Sequence, residues 1–586
     1  MPSTEPITRG EVTQEDVLQE VNRIAASRYF RNSQRLRRFM AFVVQSTMNG
    51  SVDQLKEYVL GREVFDRGPG YDPRMDSIVR TEAQRLRRKL REYYQTEGAA
   101  DPVLITFQAG SYVPTFAYHE SIPPATVMGQ KDQLNPRTVA VLPFLNLSPE
   151  PDQDYFCDGV TEDIIQTLSR SSELRVIGRA SAFAFKNTNC DLREVGEKLA
   201  AGTLVEGSVR KSGNQLRISV EMVDSVTGHI HWSRVFDVTL GDVFTIQEEI
   251  AGAIATALRV RLVPGTSGRL ARDAPDISAY LLYLKARQSW NEMTVLGYRT
   301  AIDHFERAIS HYPDYASLHA GLADAYCYLA FWGGMRPRDA FPKAQKAALE
   351  ALRLDKDLAH AYSSAAGATL FGLWDFENAT EMASRATDLE PSYAFGQTIC
   401  GFCLLANGKR EEALQCFQRT VDLDPLSVRA NRTLGWILGL QGRYTEAEQY
   451  LMAAVTLAPV SVEARCLLAD LYVQQGRISA ALEQARQCQE RPDAVALGTL
   501  GVCFARSGQS DQAAQVIDRL LKVSATEYVD PHEIARIYLA LGDSDRTLAF
   551  IQKMVEEHSP LAVFLECDPA FNQLRSDPRF HKLLPG

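Results

Sequence analysis

The feature that most constrains the fold is a repeat of 34 residues in the second half of the 586-residue chain. Three residue types recur at this spacing: Gly408, Gly442 and Gly476; Ala413, Ala447 and Ala481; and Pro391, Pro425 and Pro459. A fixed period of this length is typical of solenoids, in which each unit buries its apolar face only against its neighbours. Much of the chain therefore belongs to a stacked array and not to a single globular core.

One unit, residues 426–459, shows what the period encodes, with Leu434-Gly435, Gly442, Ala447, Leu451, Ala454 and Pro459 in fixed places. This pattern is similar to the tetratricopeptide repeat, in which two antiparallel helices approach closely at small residues and a proline ends the second helix. Earlier units are looser, and one holds an insertion between Tyr326 and Ala344. We predict seven or eight repeats over residues 276–560 that form a superhelix with a concave face, followed by a C-terminal cap over 561–586.

The middle of the chain predicts a small α/β domain over residues 138–263. It opens with TVAVLPF, a continuous apolar run typical of a buried strand, and then interleaves helical and strand-like segments. The preceding residues 119–137 are rich in proline, polar and small side chains, which indicates a linker. The fold class is therefore multidomain and mainly α.

The N-terminal region, residues 1–118, predicts four helices followed by a hairpin. Helical patterns cover residues 13–27, 33–48, 53–65 and 76–95, and strand-like runs follow at 103–107 and 111–116. The chain is acidic, with a formal net charge of −10, but this region holds 17 Lys and Arg against 15 Asp and Glu. Its net charge of +2 leaves −12 for the rest of the chain, which indicates a specialised N-terminal surface.

The positive charge concentrates in RTEAQRLRRKLR, residues 80–91, which has six basic side chains and one acid, Glu82. On a helix, Val79, Ala83, Leu86 and Leu90 form a narrow apolar stripe that predicts the buried side. The other faces are basic or amide, and such side chains neutralise phosphates and read guanine and adenine edges. A solvated helix face is the alternative interpretation. A second cluster leaves the same two alternatives open, phosphate contact or solvation, at Arg28, Arg31, Arg35, Arg37 and Arg38.

The segments IVRTEAQRLRRKL and VLITFQAGSYVPTF together resemble the winged-helix effector domain of response-regulator transcription factors of the OmpR/PhoB type. The wing departs from that family in reading GSYVP, and no phosphoacceptor receiver domain precedes it. The resemblance implies that one set of side chains faces double-stranded DNA: Arg80, Gln84, Arg87, Arg88 and Arg91. It implies that a second set contacts the DNA backbone: Arg85, Lys89, Ser111 and Tyr112.

The middle segments VAVLPF, DYFCDGVTEDI, LVEGSVRKSGNQLRISVEMVD and TGHIHWSRVFD resemble the amino-terminal domain of the translocation protein TolB. This resemblance implies a non-catalytic role in sensing or protein contact. A helix start is expected at residues 158–161, where the free N–H groups could bind an anion or be capped by Asp158 or Thr161. An ordinary cap is the simpler of these two interpretations.

Sequence motifs for catalysis or metal binding are weak. The CxxC at Cys400 and Cys403 lies inside a packed helix of the repeat frame, where a thiolate would be desolvated. His229 and His231 share a strand face but lack a nearby third ligand for zinc. The sequence holds no GxxxxGK[ST], GxSxG or HExxH. Residues 1–118 are too short for the class III cyclase domain that precedes similar arrays. We therefore expect no enzyme, cofactor or metal.

The N-terminus has no apolar core, no stretch approaches the roughly 20 apolar residues of a membrane span, and the ten cysteines form no framework. We expect a cytoplasmic, bacterial-type transcriptional regulator without membrane contact. Its winged helix would bind double-stranded DNA, its α/β domain would sense or relay, and its concave face would hold a protein or peptide. Homo-oligomers are possible, because winged-helix regulators often pair on repeated half-sites. The alternative is a tetratricopeptide scaffold with no DNA binding, whose basic domain contacts an acidic protein or RNA.

Overall fold

The computed structural model describes residues 14–27, 29–31, 33–49, 55–65, 67–68, 71, 78–94, 97–98, 101, 103–107, 112–118, 134–148, 154–188, 190–239, 243–260, 277–488 and 493–585. The chain divides into two compact units, Met1–Thr126 and Val127–Gly586. Each unit is described by itself below.

Within its described residues, unit 1 contains four helices and a two-stranded hairpin. The elements are α1 (Gln14–Ala26), α2 (Gln34–Met48), α3 (Glu57–Glu63), α4 (Ile78–Tyr94), β1 (Val103–Phe107) and β2 (Pro114–Tyr118). The two strands are antiparallel, and Ile105 lies opposite Phe116. β2 begins three residues later than the predicted run 111–116, because Tyr112 and Val113 pack against the core of the unit instead of pairing with β1.

The core of unit 1 is built from one face of each helix and from β1. Phe30, Phe39 and Met40 are fully buried at its centre. The apolar stripe of α4 and Ile105 of β1 belong to the same cluster. This packing fixes which side of α4 points away from the core, and so positions the basic residues.

The first part of unit 2 is an α/β domain with a mixed sheet. Its elements are β3 (Thr138–Val141), β4 (Leu145–Asn146), α5 (Asp154–Ser169), β5 (Arg175–Val176), α6 (Arg179–Phe183), α7 (Leu192–Leu199), β6 (Thr203–Ser212), β7 (Gln215–Asp224), β8 (Ile230–Thr239) and α8 (Val243–Ala257). The strand order is β5-β3-β6-β7-β8, with β4 paired to β6. β3 runs parallel to β5 and β6, and β6, β7 and β8 are antiparallel to one another.

The expected helix start at Asp158 is wrong, because α5 begins one turn earlier, at Asp154. Asp158 instead accepts from Lys186 Nζ at 2.6 Å. The hydroxyl of Thr161 donates to the Cys157 carbonyl and accepts from the Phe144 amide. These two residues lie in the interior of a helix, so they form neither the expected cap nor an anion site.

The second part of unit 2 is a solenoid of eight successive antiparallel helix pairs within the described residues. The helices are α9 (Ile277–Asn291), α10 (Val295–His311), α11 (Ala316–Phe331), α12 (Pro337–Leu354), α13 (Ala359–Leu373), α14 (Phe376–Leu389), α15 (Ala394–Ala406), α16 (Arg410–Leu423), α17 (Val428–Leu440), α18 (Tyr444–Leu457), α19 (Val462–Gln474), α20 (Ile478–Arg486), α21 (Ala494–Arg506), α22 (Ser510–Val523), α23 (Pro531–Leu541) and α24 (Ser544–Glu556). The predicted tetratricopeptide organisation is confirmed.

The repeated small residues have two physical roles. Gly442 connects α17 to α18 with a φ of 75°, a left-handed conformation that glycine adopts without steric cost. Gly435 lies where the same two helices cross, and a Cβ there would come within 2.7 Å of Leu451 Cγ. The 34-residue period therefore records one turn and one close helix contact for each repeat.

The C-terminal segment, residues 557–585, packs back against the solenoid. The ring of Phe564 lies within about 6 Å of three aromatic rings of the inner helices, at centroid distances of 6.3 Å to Phe371, 5.7 Å to Phe402 and 5.0 Å to Trp436. Further along, Phe571 and Phe580 are fully buried in a cluster with helices α23 and α24. The segment thus covers the end of the array and also reaches its inner surface.

The α/β domain is hydrogen-bonded to the side of the solenoid. The Gly178 amide donates to the Leu423 carbonyl at 2.6 Å. The Asp424 carboxylate accepts from the Ser181 amide at 2.6 Å, so it caps α6 from the solenoid. Nearby, Arg170 and Glu390 form an ion pair at 3.1 Å whose side chains are 10% and 3% exposed. These bonds make the two parts of unit 2 one continuous body.

Candidate functional site

The basic helix α4 is anchored by the apolar stripe that the sequence predicted. Val79, Ala83, Leu86 and Leu90 are each at most 4% exposed. By contrast, the side chains of Arg80 and Arg85 are 52% and 50% exposed. The helix therefore presents cationic groups to solvent from a rigidly packed base, which is the geometry that a phosphate-contacting helix needs.

Arg80 is held by an element that the sequence did not link to it. Its Nε lies 3.5 Å from Glu57 Oε1 on α3. The Tyr112 hydroxyl donates to the same carboxylate, and burial raises the pKa of this tyrosine. Tyr112, expected at the DNA backbone, thus has a bond inside the unit that ties the start of β2 to α3 and orients Arg80.

The remaining predicted residues of α4 divide into three cases. Lys89 Nζ donates to the Tyr29 carbonyl and lies over the Phe30 ring, so it braces the connection between α1 and α2. Arg87 is partly buried, and Arg85 Nη1 lies 3.7 Å from Glu82 Oε1. Three side chains, those of Gln84, Arg88 and Arg91, lie outside the described part of the chain, as does the whole of Ser111.

The second basic cluster is not uniform. Arg31 and Arg35 are exposed, and Arg37 is partly buried. Arg38 donates from Nη2 to the Glu63 carbonyl at 2.6 Å, which fastens α2 to the end of α3. Arg28 lies outside the described residues. Arg38 is exposed as well but has this bond to α3, so the alternatives of phosphate contact and solvation both stay open for Arg31 and Arg35.

A second candidate site is the concave cavity, defined as the space of roughly 640 Å³ on the inner side of the solenoid. Its walls come mainly from the first helix of successive pairs, α11 to α23, and from the C-terminal segment through Leu561 and Phe564. The sequence predicted a concave face that holds a protein or peptide. In the structure, the C-terminal segment forms part of that face, so the face is a walled cavity.

The concave cavity contains charged groups among aromatic rings. Its charged lining residues are Asp324, Arg429, Arg432, Glu463, Asp470, Arg506, His532, Glu533, Arg536 and Asp568. Most of the carboxylates are engaged locally: Asp324 with His360 at 2.6 Å, and Asp470 with Arg536 at 2.6 Å. The remaining arginines of the lining are Arg429 and Arg432 of α17, which are partly buried, and Arg506 of α21, which is exposed.

Both cations of α17 lie over aromatic rings. The guanidinium of Arg429 is 4.7 Å from the Tyr328 ring centroid and 4.9 Å from that of Trp290. Arg432 lies 4.6 Å over the Trp332 ring. Burial lowers the pKa of the Arg432 guanidinium, since the charged form is partly removed from water. Such cation–π contacts hold a guanidinium by its face and leave its N–H edge available.

The sequence interpretation missed these arginines, although the repeat frame holds a signal for them. One period earlier and later, the place of Arg429 is taken by Phe395 and Glu463, and that of Arg432 by Thr398 and Cys466. Two cations on one inner helix face therefore break the pattern of the neighbouring repeats. The anomaly could have been read from the alignment of the repeats alone.

The weak motifs do not assemble into a site. Cys400 and Cys403 are buried in α15, and burial raises the pKa of the Cys403 thiol. His229 and His231 are exposed. Within the described ranges, no group of three or more His, Cys, Asp or Glu side chains is placed to hold a metal ion. The helices of those same ranges include none with the length and hydropathy of a membrane span.

Comparison with protein families identifies two parts of the chain. Residues 404–462, 466–527 and 440–487 match tetratricopeptide repeat families. Residues 135–253 match the HilA/YgeH-like transcriptional regulator, second domain. The repeat array is thus supported by similarity as well as by the fold, and the middle domain is similar to that regulator domain.

Among individual proteins, the chain is similar to a putative adenylate cyclase 3 of Rhizobium meliloti (strain 1021), at 38% identity over 221 residues. The match covers 37% of this chain, and the chain spans 38% of the length of that relative. Among solved structures, the chain is similar to the APC/C hetero-tetramer Cut9-Hcn1, at 13% identity over 58% of this chain and 59% of that one, with a TM-score of 0.37. It is also similar to Pseudomonas aeruginosa pilF, at 21% identity over 35% of this chain and 93% of that one, with a TM-score of 0.27. These low TM-scores carry no argument about function.

Proposed function

We propose that the chain is a DNA-binding transcriptional regulator in which unit 1 is a winged helix and α4 is its recognition helix. The observation that carries this proposal is the exposure of Arg80 and Arg85 on a helix whose opposite stripe is buried. The order of four helices and a hairpin supports it, since this order resembles the OmpR/PhoB-type effector domain. The HilA/YgeH-like match of the middle domain supports a regulatory context.

The DNA-facing surface that we propose consists of Arg80, Arg85 and Arg87, with Gln84, Arg88 and Arg91 added from the resemblance. Tyr112 and Lys89 enter as positioning residues, because each has a bond inside unit 1. Tyr112 orients Arg80 through the shared carboxylate of Glu57. Ser111 stays a proposed contact to the DNA backbone.

Unit 2 is proposed to sense or relay and to bind a partner protein. Tetratricopeptide arrays are protein-interaction modules, and this array is bonded to the α/β domain through the Asp424 cap of α6. Because the C-terminal segment forms part of the concave face, a partner peptide on that face would contact Leu561 and Phe564 as well as the inner helices. Homo-oligomerisation on repeated half-sites remains part of the proposal.

Cyclase activity is not proposed, although one relative carries that name. The match covers only 37% of this chain and 38% of the length of that relative. The alternative function is a tetratricopeptide scaffold with no DNA binding, and the family match of the repeats favours that interaction role equally.

Hydrogen exchange of the full chain, with and without a random-sequence DNA duplex, separates the two functions. The regulator predicts slower amide exchange in residues 78–94 and 103–118 and unchanged exchange in the solenoid. Arg80→Ala/Arg85→Ala should lose this protection, whereas Arg307→Ala/Arg353→Ala, which removes two exposed arginines of unit 2, should keep it. Exchange that DNA leaves unchanged throughout unit 1 would favour the scaffold.

A further inference from the structure

We propose that the concave cavity binds a small amphipathic carboxylate, an organic acid with an apolar body, whose carboxylate is held between Arg429 and Arg432. The inference concerns unit 2 alone and does not rest on DNA binding by unit 1. Four features of the cavity carry it: its volume, the geometry of the two arginines, the local pairing of its acids, and one buried hydroxyl.

The volume and walls fit a small organic molecule. Ligand pockets typically measure about 300–1,000 Å³ and combine apolar walls with a few placed polar groups. The concave cavity measures roughly 640 Å³ and includes Phe371, Phe402, Trp436 and Phe564 in its lining. These rings form one continuous cluster, with Phe402 and Phe371 centroids 6.1 Å apart. An apolar body the size of an acyl chain or an aromatic ring would gain burial there.

The two arginines lie one turn apart on α17 and lack close acidic partners. Within the described residues, Arg429 has no carboxylate oxygen within 4.0 Å, and its Nη1 donates to the Tyr328 hydroxyl at 3.1 Å. Arg432 reaches Glu463 only at 4.0 Å, and its side chain is 13% exposed. A buried guanidinium without a close anion is costly, and a bidentate carboxylate is the group that matches its edge.

The other acids of the cavity do not satisfy these arginines. Asp324 accepts from Ser364 Oγ at 2.6 Å in addition to its contact with His360. Asp568 accepts from the Ala570 amide at 2.8 Å. Asp470 pairs with Arg536 at the other end of the lining. Glu533 lies beside His532 and Arg536, and Arg506 is exposed. Arg429 and Arg432 are therefore the partly buried cations left for an external anion.

A buried hydroxyl gives an independent sign of a missing polar partner. Ser363 lines the cavity and is fully buried, and its Oγ has no hydrogen-bond partner among the described residues. Buried hydroxyls are normally hydrogen-bonded, and an unsatisfied one costs about 1–3 kcal/mol. The Ser363 hydroxyl is therefore a polar group in the wall of the cavity that lacks a partner among the described residues.

The experiment is isothermal titration calorimetry of the full chain with three probes. Sodium octanoate carries both the anion and an apolar body, octanol lacks the anion, and acetate lacks the apolar body. Octanoate should bind with a stoichiometry of one, at least about tenfold more tightly than either comparator. Arg429→Gln/Arg432→Gln should reduce octanoate affinity by about tenfold or more, whereas Arg307→Gln/Arg353→Gln, on exposed faces, should leave it unchanged.

Circular dichroism melting checks that each variant is folded. If the glutamine pair does not fold, Arg429→Lys/Arg432→Lys keeps both charges but loses the bidentate edge, and it should bind octanoate with intermediate affinity. The proposal is overturned if octanol binds as tightly as octanoate, if the arginine variants bind octanoate like the wild type, or if octanoate does not bind.

Discussion

The indole of Trp374 stacks on the imidazole of His558, with ring centroids 4.6 Å apart and an interplanar angle of 24°. Both residues hold left-handed backbones, with φ of 55° and 54°. In the 34-residue frame, Trp374 occupies the turn position that Gly408 and Gly442 fill in the next repeats. A non-glycine residue therefore occupies a left-handed turn here, and the Trp374 side chain joins the C-terminal segment to the third helix pair.

This relationship predicts an unusual order of stability at position 374. Trp374→Ala loses the ring stack and keeps the strained φ, whereas Trp374→Gly loses the stack and relieves the strain. The glycine variant should therefore be more stable than the alanine variant by about 1 kcal/mol, the reverse of the order in helices. Urea unfolding measures the difference. Gly442→Ala is the matched control and should destabilise by a similar amount, and an alanine variant at 374 that is the more stable one contradicts the account.

The Asp424 cap predicts that the α/β domain can be uncoupled from the solenoid. Asp424→Ala leaves the amide and hydroxyl of Ser181 without their acceptor, which should cost about 1–3 kcal/mol. Because these bonds cross the junction between the two parts of unit 2, the single unfolding transition of unit 2 should separate into two. Ser461→Ala removes an ordinary cap inside the solenoid and should lower stability without separating the transitions. Two transitions of unit 2 already present in the wild type would count against a continuous body.

Asp163 predicts a pH dependence of stability. Burial raises the pKa of this carboxyl to about 7. Since the folded pKa lies above the unfolded one, its stabilising contribution is complete below about pH 4 and is lost as pH rises through 7. The free energy of unfolding of Asp163→Asn should therefore rise relative to that of the wild type, by about 1–4 kcal/mol, when the pH is raised from 5 to 8.

Urea unfolding at the two pH values measures this gain. Asp577→Asn is the control: the Arg579 side chain lowers the pKa of this partly buried carboxyl, so its titration falls below this window. A gap between Asp163→Asn and wild type that stays constant from pH 5 to pH 8 would show that Asp163 does not titrate there.

Local signals in the sequence were sufficient for the repeats and for the basic helix. Each repeat needs a left-handed turn residue such as Gly442 and a close helix contact such as Gly435, and both needs recur every 34 residues. The stripe of α4 could be read because Leu86 and Leu90 recur at helical spacing. These features depend on neighbours a few residues away, so the order of residues alone reveals them.

Features that depend on distant residues could not be predicted in the same way. Trp374 replaces the glycine that marks the turn in other repeats, and its stacking partner His558 lies far along the chain. Helix α6 is five residues long, and its cap, Asp424, belongs to the solenoid. The start of α5 was misplaced because Asp158 is a plausible cap residue that instead pairs with Lys186. Tertiary contacts decide each of these cases.

Contact between α4 and DNA can be tested by fluorescence anisotropy of the full chain on a labelled random-sequence duplex at several salt concentrations. The full chain should bind the duplex with an affinity that falls steeply as the salt concentration rises. Arg80→Ala/Arg85→Ala should bind at least about tenfold more weakly, and its plot of log binding constant against log salt concentration should be less steep by about two. Arg307→Ala/Arg353→Ala should bind like the wild type. No binding at low salt, or equal binding by the Arg80→Ala/Arg85→Ala variant, would contradict the claim.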